Sequence, residues 1–272
     1  MPAALPRMLA AFGTAVAFIA LPALADENDQ SRWIELKPAL FGDRAIVEDD
    51  GLVVLDAPTR AYDAAVVPIS VALVGPQTEA RHVTAISLVI DHNPAPLAAV
   101  FHLAPGSGIA TIHTRVRIDE YTHVRAIAEL NDGSLHMVSR YVKAAGGCSS
   151  PSMKDQDVAL QRLGTQKFRQ MADLKADGTT EAQLMISHPN YSGLQMDQIT
   201  RHYIPPLYVR EIKVAFADHP VMTIDSDISL SEDPTIRFSF AASKPGDMSV
   251  VVTDTNDKTF TGRWPIAARV GS

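Results

Sequence analysis

The chain has 272 residues, of which 46% are hydrophobic, so a folded core is expected and general disorder is excluded. Its 31 acidic residues outnumber its 24 basic residues, the formal net charge is −7, and Lys and Arg form no cluster. This charge pattern argues against a nucleic-acid-binding protein and against a protein that binds anionic membrane surfaces.

The N-terminal segment predicts export from the cytoplasm. Residues 1–25 contain an early basic residue, then an apolar run, and then the small-x-small sequence Ala23-Leu24-Ala25 in front of two acidic residues. This pattern is typical of a cleaved secretory signal peptide, and no later stretch is apolar enough to span a bilayer. We therefore expect a mature protein in the periplasm, with an uncleaved N-terminal anchor as the alternative.

A single helix is predicted at the start of the mature chain, over Ser31–Phe41. Ser31 can cap it, and Trp33, Leu36, Leu40 and Phe41 fall on one face at helical spacing. Because Pro38 lies inside this segment, the helix should be short or kinked.

After the helix the hydrophobic period changes to two, which is typical of β-strands. The first set of candidate strands is Leu52–Leu55, Ala64–Val74, His82–Ile90, Ala98–Leu103, Ile109–Ile118, Tyr121–Leu130 and Leu135–Val142. The Asp132-Gly133 pair between the last two predicts a hairpin. So many short strands, separated by Gly and Pro turns, predict an antiparallel β-sandwich.

A second set of candidate strands follows a polar stretch, residues 153–164, which is either a linker or a short helix. The set is Lys167–Met171, Ala182–Ser187, Val209–Ala217, Met222–Asp225, Thr235–Ala241, Asp247–Asp254 and Thr259–Trp264. A long connection over residues 191–206 interrupts it. The sequence therefore predicts an all-β protein with two β-sandwich domains and a short N-terminal helix.

The chain contains one cysteine, Cys148, at the junction of the two predicted domains. It lies in the sequence Gly146-Gly147-Cys148-Ser149-Ser150-Pro151, which is poor material for a core. We interpret it as a thiol on an arm made flexible by Gly146 and Gly147, available to a partner or to covalent cargo. The alternative is a buried cysteine that acts as a small apolar residue.

Other chemistry has little support in the sequence. Nine histidines are present without metal-ligand spacing, six of them scattered through the first β region: His82, His92, His102, His113, His123 and His136. There is no nucleophile elbow, dinucleotide fingerprint, P-loop or haem-attachment motif. We therefore predict no catalytic residue, no metal and no cofactor; a soft copper site using Cys148 and Met153 is an alternative.

The first half of the chain resembles SoxY, a periplasmic sulfur carrier, in its signal peptide, N-terminal helix, β domain and Gly-Gly-Cys arm. The second half resembles SoxZ, the binding partner of SoxY. The segments that carry this second resemblance are Leu184–Pro189, Ser192–Leu194, Arg201–Pro205, Ser229–Pro234 and Val252–Thr255. The whole chain is similar to the single-chain SoxYZ-like carriers associated with quinoprotein dehydrogenases.

The resemblance implies two immunoglobulin-like sandwiches and the following division: residues 1–25 signal peptide, 26–148 SoxY-like domain, 149–164 linker and 165–272 SoxZ-like domain. It implies that Cys148 holds sulfur intermediates covalently, as in thiosulfate oxidation, while partner enzymes do the chemistry. In SoxY the motif is Gly-Gly-Cys-Gly-Gly at the extreme C-terminus, whereas here Ser149-Ser150-Pro151 and the second domain follow. The arm is therefore predicted to be a tethered loop.

The partners implied are periplasmic redox enzymes, either c-type cytochromes or a quinoprotein dehydrogenase. The alternative function is a non-covalent accessory module for a quinoprotein alcohol dehydrogenase and its cytochrome c. A homodimer joined through two Cys148 residues is a further possibility in an oxidising compartment.

Overall fold

The structure is a computed structural model, and it describes residues 28–48, 51–75, 77–151, 156–173, 178–242 and 245–266. The predicted signal peptide, residues 1–25, lies outside the described residues. So does part of the predicted linker, residues 152–155, which includes Met153.

The predicted helix is confirmed as α1, Ser31–Phe41. Trp33 and Leu36 are its buried residues, and it packs on the outer face of the first sheet against Val89 and Ile127. The helix tolerates Pro38 and ends at Gly42, whose N–H donates to the Pro38 carbonyl at 3.0 Å.

Within the described residues of the first half, eight strands form, one more than the sequence predicts. They are β1 (Ile46–Glu48), β2 (Val53–Asp56), β3 (Val67–Leu73), β4 (Val83–Ile90), β5 (Leu97–Leu103), β6 (Thr111–Val116), β7 (Thr122–Leu130) and β8 (Leu135–Val142). The additional strand β1 pairs parallel to β8 and is only three residues long, which is too short for an alternating pattern to show. The β7–β8 hairpin is confirmed, with Gly133 at φ 83° in its turn.

The second half opens with a short helix, α2 (Gln156–Gln161), and continues with seven strands as predicted. They are β9 (Gln166–Gln170), β10 (Thr179–Ile186), β11 (Val209–Phe216), β12 (His219–Ser226), β13 (Thr235–Ala241), β14 (Gly246–Asp254) and β15 (Thr259–Ile266). Buried and partly buried residues alternate along β14 and β10, because one face of each strand lies on the core.

Both sheets run through both halves of the chain. One has the order β1-β8-β7-β4-β5-β12-β11-β14-β15, and the other has the order β2-β3-β6-β13-β10-β9. The junctions are antiparallel: β5 pairs with β12, and β6 pairs with β13 through Arg237 opposite His113 and Phe238 opposite Ile112. Edge strands that would expose unpaired backbone groups are thereby paired with each other.

The core is continuous as a consequence. A single buried cluster includes Phe101 and Val116 from the first half together with Ile224, Phe238 and Phe240 from the second. The protein is therefore all-β, with two immunoglobulin-like sandwiches joined edge to edge and an N-terminal helix. Among the described residues, no helix is long and apolar enough to cross a membrane.

Candidate functional site: the Cys148 arm at the junction of the two halves

The arm that follows β8 is packed between the two halves of the protein. Cys148 is buried, with 0% of its surface exposed. The expectation of an exposed thiol on a mobile arm is therefore wrong for this structure. The physical reason is tertiary: the junction of the sandwiches forms a groove that the loop fills, and local composition does not reveal this.

Backbone hydrogen bonds hold one side of the arm. The Gly146 N–H donates to the Asp119 carbonyl at 2.7 Å, and the Gly147 N–H donates to the Ile118 carbonyl at 2.9 Å. The Ile118 N–H in turn donates to the Ala64 carbonyl at 2.8 Å. The arm thus lies along the segment that follows β6 and is hydrogen-bonded to it.

The two glycines have structural reasons of their own, and flexibility is not required to explain them. A Cβ at Gly147 would overlap the carbonyl oxygens of Ala64 and Ile118, so only glycine allows this close approach. Gly146 has φ 78°, in the left-handed region that side chains other than glycine rarely adopt, and it has open space around it. In this structure Gly146 and Gly147 dock the arm, and the flexibility expected of them stays a prediction.

The second half of the chain holds the other side of the arm. The Ser192 hydroxyl donates to the Cys148 carbonyl, and the Gln195 side-chain amide donates to the Ser150 carbonyl at 2.9 Å. Gln195 also accepts the Ser192 N–H through its side-chain oxygen, at 3.2 Å. Ser192 and Gln195 therefore form a clamp over the arm. Sequence reasoning placed both in a long connection and missed this role, since 44 residues separate Ser192 from Cys148.

The clamp is anchored by a buried histidine. His188 and Asp254 are fully buried, with the His188 Nε2 3.8 Å from the Asp254 Oδ2, and the His188 Nδ1 accepts the Asn190 N–H at 3.1 Å. Burial lowers the pKa of His188, opposed in part by the charge of Asp254. A neutral His188 thus orders the chain that leads to Ser192, and its role here is structural.

The docked thiol is unreactive. Burial raises the pKa of Cys148 to about 12, the Asp119 carboxylate adds to the rise, and the Arg117 guanidinium opposes it. Only the thiolate is a competent nucleophile, so the docked arm protects the sulfur at neutral pH. Any reaction of Cys148 with a partner requires the arm to leave its groove.

A cleft opens beside the arm, with about 490 Å³ of empty space that is partly open to solvent. Both halves of the chain contribute to its walls. Its lining residues are Ala65, Val66, Arg115, Arg117, Ser150, Pro151, Gln195, Glu232 and Asp233. Because Ser150 and Gln195 belong to the arm and its clamp, the cleft and the docked arm form one site.

Two arginines make up the charged wall of the cleft. Arg117 is 2% exposed, and its Nη1 donates to the carbonyls of Ile228 at 3.2 Å and Leu230 at 2.6 Å. The Arg115 Nη2 donates to the Asp233 carbonyl at 3.0 Å and to the Thr235 hydroxyl at 2.9 Å. Both side chains are thereby fixed in position by the second half of the chain.

No metal centre is assembled by the part of the chain that the structure describes: within it, no three His, Cys, Asp or Glu side chains are grouped to hold an ion. The copper alternative involved Met153, which lies outside the described residues.

Comparison with known proteins defines the class of protein to which this fold and arm belong. The family model of the sulfur oxidation protein SoxY matches residues 37–148 and therefore ends on Cys148 itself. The family model of the sulphur oxidation protein SoxZ matches residues 168–265. Together the two matches cover more than two thirds of the chain.

The chain belongs to the SoxYZ-like proteins of sulfur oxidation, in which a SoxY domain and a SoxZ domain are fused. The predicted fusion of SoxY-like and SoxZ-like domains is thereby confirmed, whereas the association with quinoprotein dehydrogenases stays a prediction. SoxY and SoxZ are carrier and accessory proteins, which agrees with a carrier role for this chain.

Solved structures add weaker similarities. The sulfur carrier protein SoxY from Chlorobium limicola f thiosulfatophilum is 26% identical, with 42% of this chain and 92% of that chain covered and a TM-score of 0.35. A superoxide reductase (neelaredoxin) from Ignicoccus hospitalis is 16% identical over 36% of this chain and 94% of that chain, with a TM-score of 0.32. These TM-scores are too low to bear on function. No curated protein matches the chain significantly.

Proposed function

We propose that the protein is a periplasmic sulfur carrier, and that sulfur intermediates are covalently attached to the side-chain sulfur of Cys148. The observation that carries this proposal is the position of Cys148. It is the only cysteine, it is the last residue of the SoxY match, and it lies in a segment held to the rest of the protein by a few hydrogen bonds.

Release of the arm is energetically accessible. The hydrogen bonds of Gly146, Gly147, Ser192 and Gln195 to the arm or its groove each contribute about 1 kcal/mol net, so together they hold the docked state by roughly 4 kcal/mol. If these hydrogen bonds alone held the arm, it would be open in about one molecule in a thousand, and burial of the Cys148 side chain lowers that fraction. A partner that binds the open arm supplies the remaining free energy by mass action.

In the open arm the thiol has lost the burial that raises its pKa, and the thiolate becomes available to a partner. This behaviour is that of a carrier and not of an enzyme. The groove keeps the thiol unreactive, and the chemistry occurs in the partner protein that binds the open arm. Protection of the free thiol, and of an attached group, between partners is the function of the groove.

With thiosulfate as the cargo, loading is a two-electron oxidation that joins two sulfur atoms. The Cys148 sulfur forms a bond to the sulfane sulfur of thiosulfate, giving a cysteine S-thiosulfonate. The thiol proton goes to water, and two electrons leave to one-electron acceptors, for which c-type cytochromes are the proposed class. Release follows when a partner hydrolyses the terminal sulfonate as sulfate, which leaves a persulfide on Cys148.

Chemical loading tests the attachment site without any partner. In this reaction the Cys148 thiolate displaces thiosulfate from tetrathionate and keeps the other half as the same S-thiosulfonate, so no external oxidant is needed. We expect intact-mass measurement to show one thiosulfate-derived group per chain, which dithiothreitol removes. The Cys148→Ala variant should remain unmodified.

Loading by tetrathionate shows competence, and a biological test must follow it. Protein purified without reductant from cells oxidising thiosulfate should carry a sulfur adduct that Cys148→Ala lacks. If the purified protein is never modified, and Cys148→Ala supports sulfur oxidation as well as the natural protein, the carrier proposal is wrong. Retention of alcohol oxidation in that case would favour the accessory module for a quinoprotein dehydrogenase.

A further inference from the structure

The cleft beside the Cys148 arm has unsatisfied hydrogen-bond donors. Among its lining residues, the buried polar side-chain atoms without a hydrogen-bond partner are the Nε atoms of Arg115 and Arg117. Both are donors on guanidinium groups, and a buried donor without an acceptor is costly. These two Nε–H donors therefore lack an acceptor, and a ligand that supplies one would satisfy them.

The charge of the missing acceptor follows from the same residues. A guanidinium presents a fixed fork of N–H donors that matches the oxygens of a planar or tetrahedral oxyanion. Two such groups, adjacent along one strand end and fixed by backbone carbonyls of the second half, form a preorganised donor set. A neutral acceptor would satisfy fewer of these donors than an oxyanion does.

Two carboxylates also line the cleft, and their effects differ. The Asp233 carboxylate accepts the backbone N–H of His188 at 3.0 Å, so it is engaged on the clamp side. Glu232 is close enough for its charge to act on Arg117. Glu232 thus weakens the attraction for an anion, and its removal should strengthen it.

The cleft is also placed to meet what Cys148 carries. Ser150 and Pro151, the continuation of the arm, form part of its wall, and Arg117 is close enough to Cys148 for its charge to lower the pKa of that thiol against the effect of burial. A group attached to the sulfur and ending in a sulfonate would add a negative oxyanion within the same site.

We propose that this cleft binds a small sulfur oxyanion, either free thiosulfate or the sulfonate end of the group on Cys148, through Arg115 and Arg117. This inference rests on the proposed carrier function for its choice of ligand. It goes beyond that function in assigning a non-covalent binding site that both halves of the chain build. Fusion of the two halves in one chain keeps Arg115 and Arg117 of the first half beside Gln195 of the second.

Isothermal titration of thiosulfate into the full-length mature Cys148→Ala protein tests the cleft apart from any covalent chemistry. We expect saturable binding at one site, weakened about tenfold or more in the double variant Cys148→Ala, Arg115→Gln, because a charge-assisted hydrogen bond is lost. Arg210→Gln in the same background is the matched control. Arg210 lies on β11, is half exposed and pairs with Asp257, so its loss should leave the affinity for thiosulfate unchanged.

Glu232→Gln is the complementary variant, and it protects the test if Arg115→Gln fails to fold. It should tighten thiosulfate binding, since it removes a negative charge without removing a donor. Absence of saturable binding to Cys148→Ala, or binding that Arg115→Gln and Glu232→Gln both leave unchanged, would overturn the proposal.

The two sources of the oxyanion are separated by loading the natural protein with tetrathionate before titration. If the attached sulfonate occupies the cleft, the loaded protein should lose affinity for free thiosulfate. Unchanged affinity would assign the cleft to the free anion. Binding by Cys148→Ala combined with failure to load the natural protein would uphold the cleft and reject the carrier function, and the reverse result would reject the cleft alone.

Discussion

The sharpest consequence of the docked arm concerns the chemical reactivity of Cys148 in the folded protein. The perturbation is alkylation by iodoacetamide, which consumes only the thiolate. A mobile, exposed arm would react at the rate of an unfolded peptide. The structure requires a much slower reaction, because the thiol is buried and the arm is held on both sides.

The magnitude follows from the pKa. Burial raises the pKa of the Cys148 thiol from an ordinary value of 9.0 to about 12. At pH 8 this lowers the thiolate fraction from about one in ten to about one in ten thousand, so docking slows alkylation about a thousandfold. Reaction through the open arm gives a similar factor, since that state is held about 4 kcal/mol above the docked one.

The assay is the rate of mass gain at pH 8 in native protein, with protein in urea as the reference. Ser192→Ala removes the hydroxyl that donates to the Cys148 carbonyl, and it should speed native alkylation about fivefold for a loss of about 1 kcal/mol. Ser249→Ala is the matched control, because that hydroxyl also donates to a backbone carbonyl, Ala215, but at a remote strand. It should have no effect on the rate.

Native alkylation within tenfold of the rate in urea would refute the docked arm. Equal rates for Ser192→Ala and Ser249→Ala would refute the clamp specifically.

Three further outcomes are expected, at Gly147 in the arm, at the buried Asp91–Arg125 pair and at His188. Gly147→Ala should undock the arm, since its methyl group would overlap backbone carbonyl oxygens. The same assay should then show Cys148 alkylation at a rate close to that of the unfolded protein. Asp91→Ala should cost about 3–5 kcal/mol in urea unfolding, because it leaves the buried guanidinium of Arg125 without its carboxylate at 2.7–3.0 Å; a loss below about 1 kcal/mol would contradict this. Burial lowers the pKa of His188 below 6.5, so the unfolded state binds this proton at a higher pH than the folded state does, and the free energy of unfolding should fall as the pH drops below about 6.5. His188→Gln should flatten this part of the curve of unfolding free energy against pH. An unchanged slope in the variant would contradict this role of His188.

Much of the architecture was available from local pattern. Alternating apolar residues predicted the strands, the Asp132-Gly133 pair predicted the β7–β8 hairpin, and a helical stripe predicted α1. These features depend on neighbours within a few residues, which a single sequence contains. Strand β1 was not predicted, because three residues are too few to show an alternating pattern.

The location of the site was also available from sequence, through Cys148 as the lone thiol between glycines and through the resemblance to SoxY and SoxZ. Its environment was not. Composition indicated a flexible arm, but glycine permits both mobility and close packing, and sequence alone does not distinguish them. Gly147 faces backbone oxygens that make it a packing residue.

What the sequence determined by itself is therefore the class of elements and the residue on which the chemistry depends. Only the tertiary structure decided that the two halves share continuous sheets, that Ser192 and Gln195 hold the arm, and that Arg115 and Arg117 face a cleft beside it. The physical reason is that strand pairing across the junction joins residues far apart in the chain. The pairing of β5 with β12 and of β6 with β13 brings the two halves together, and no local period encodes that pairing.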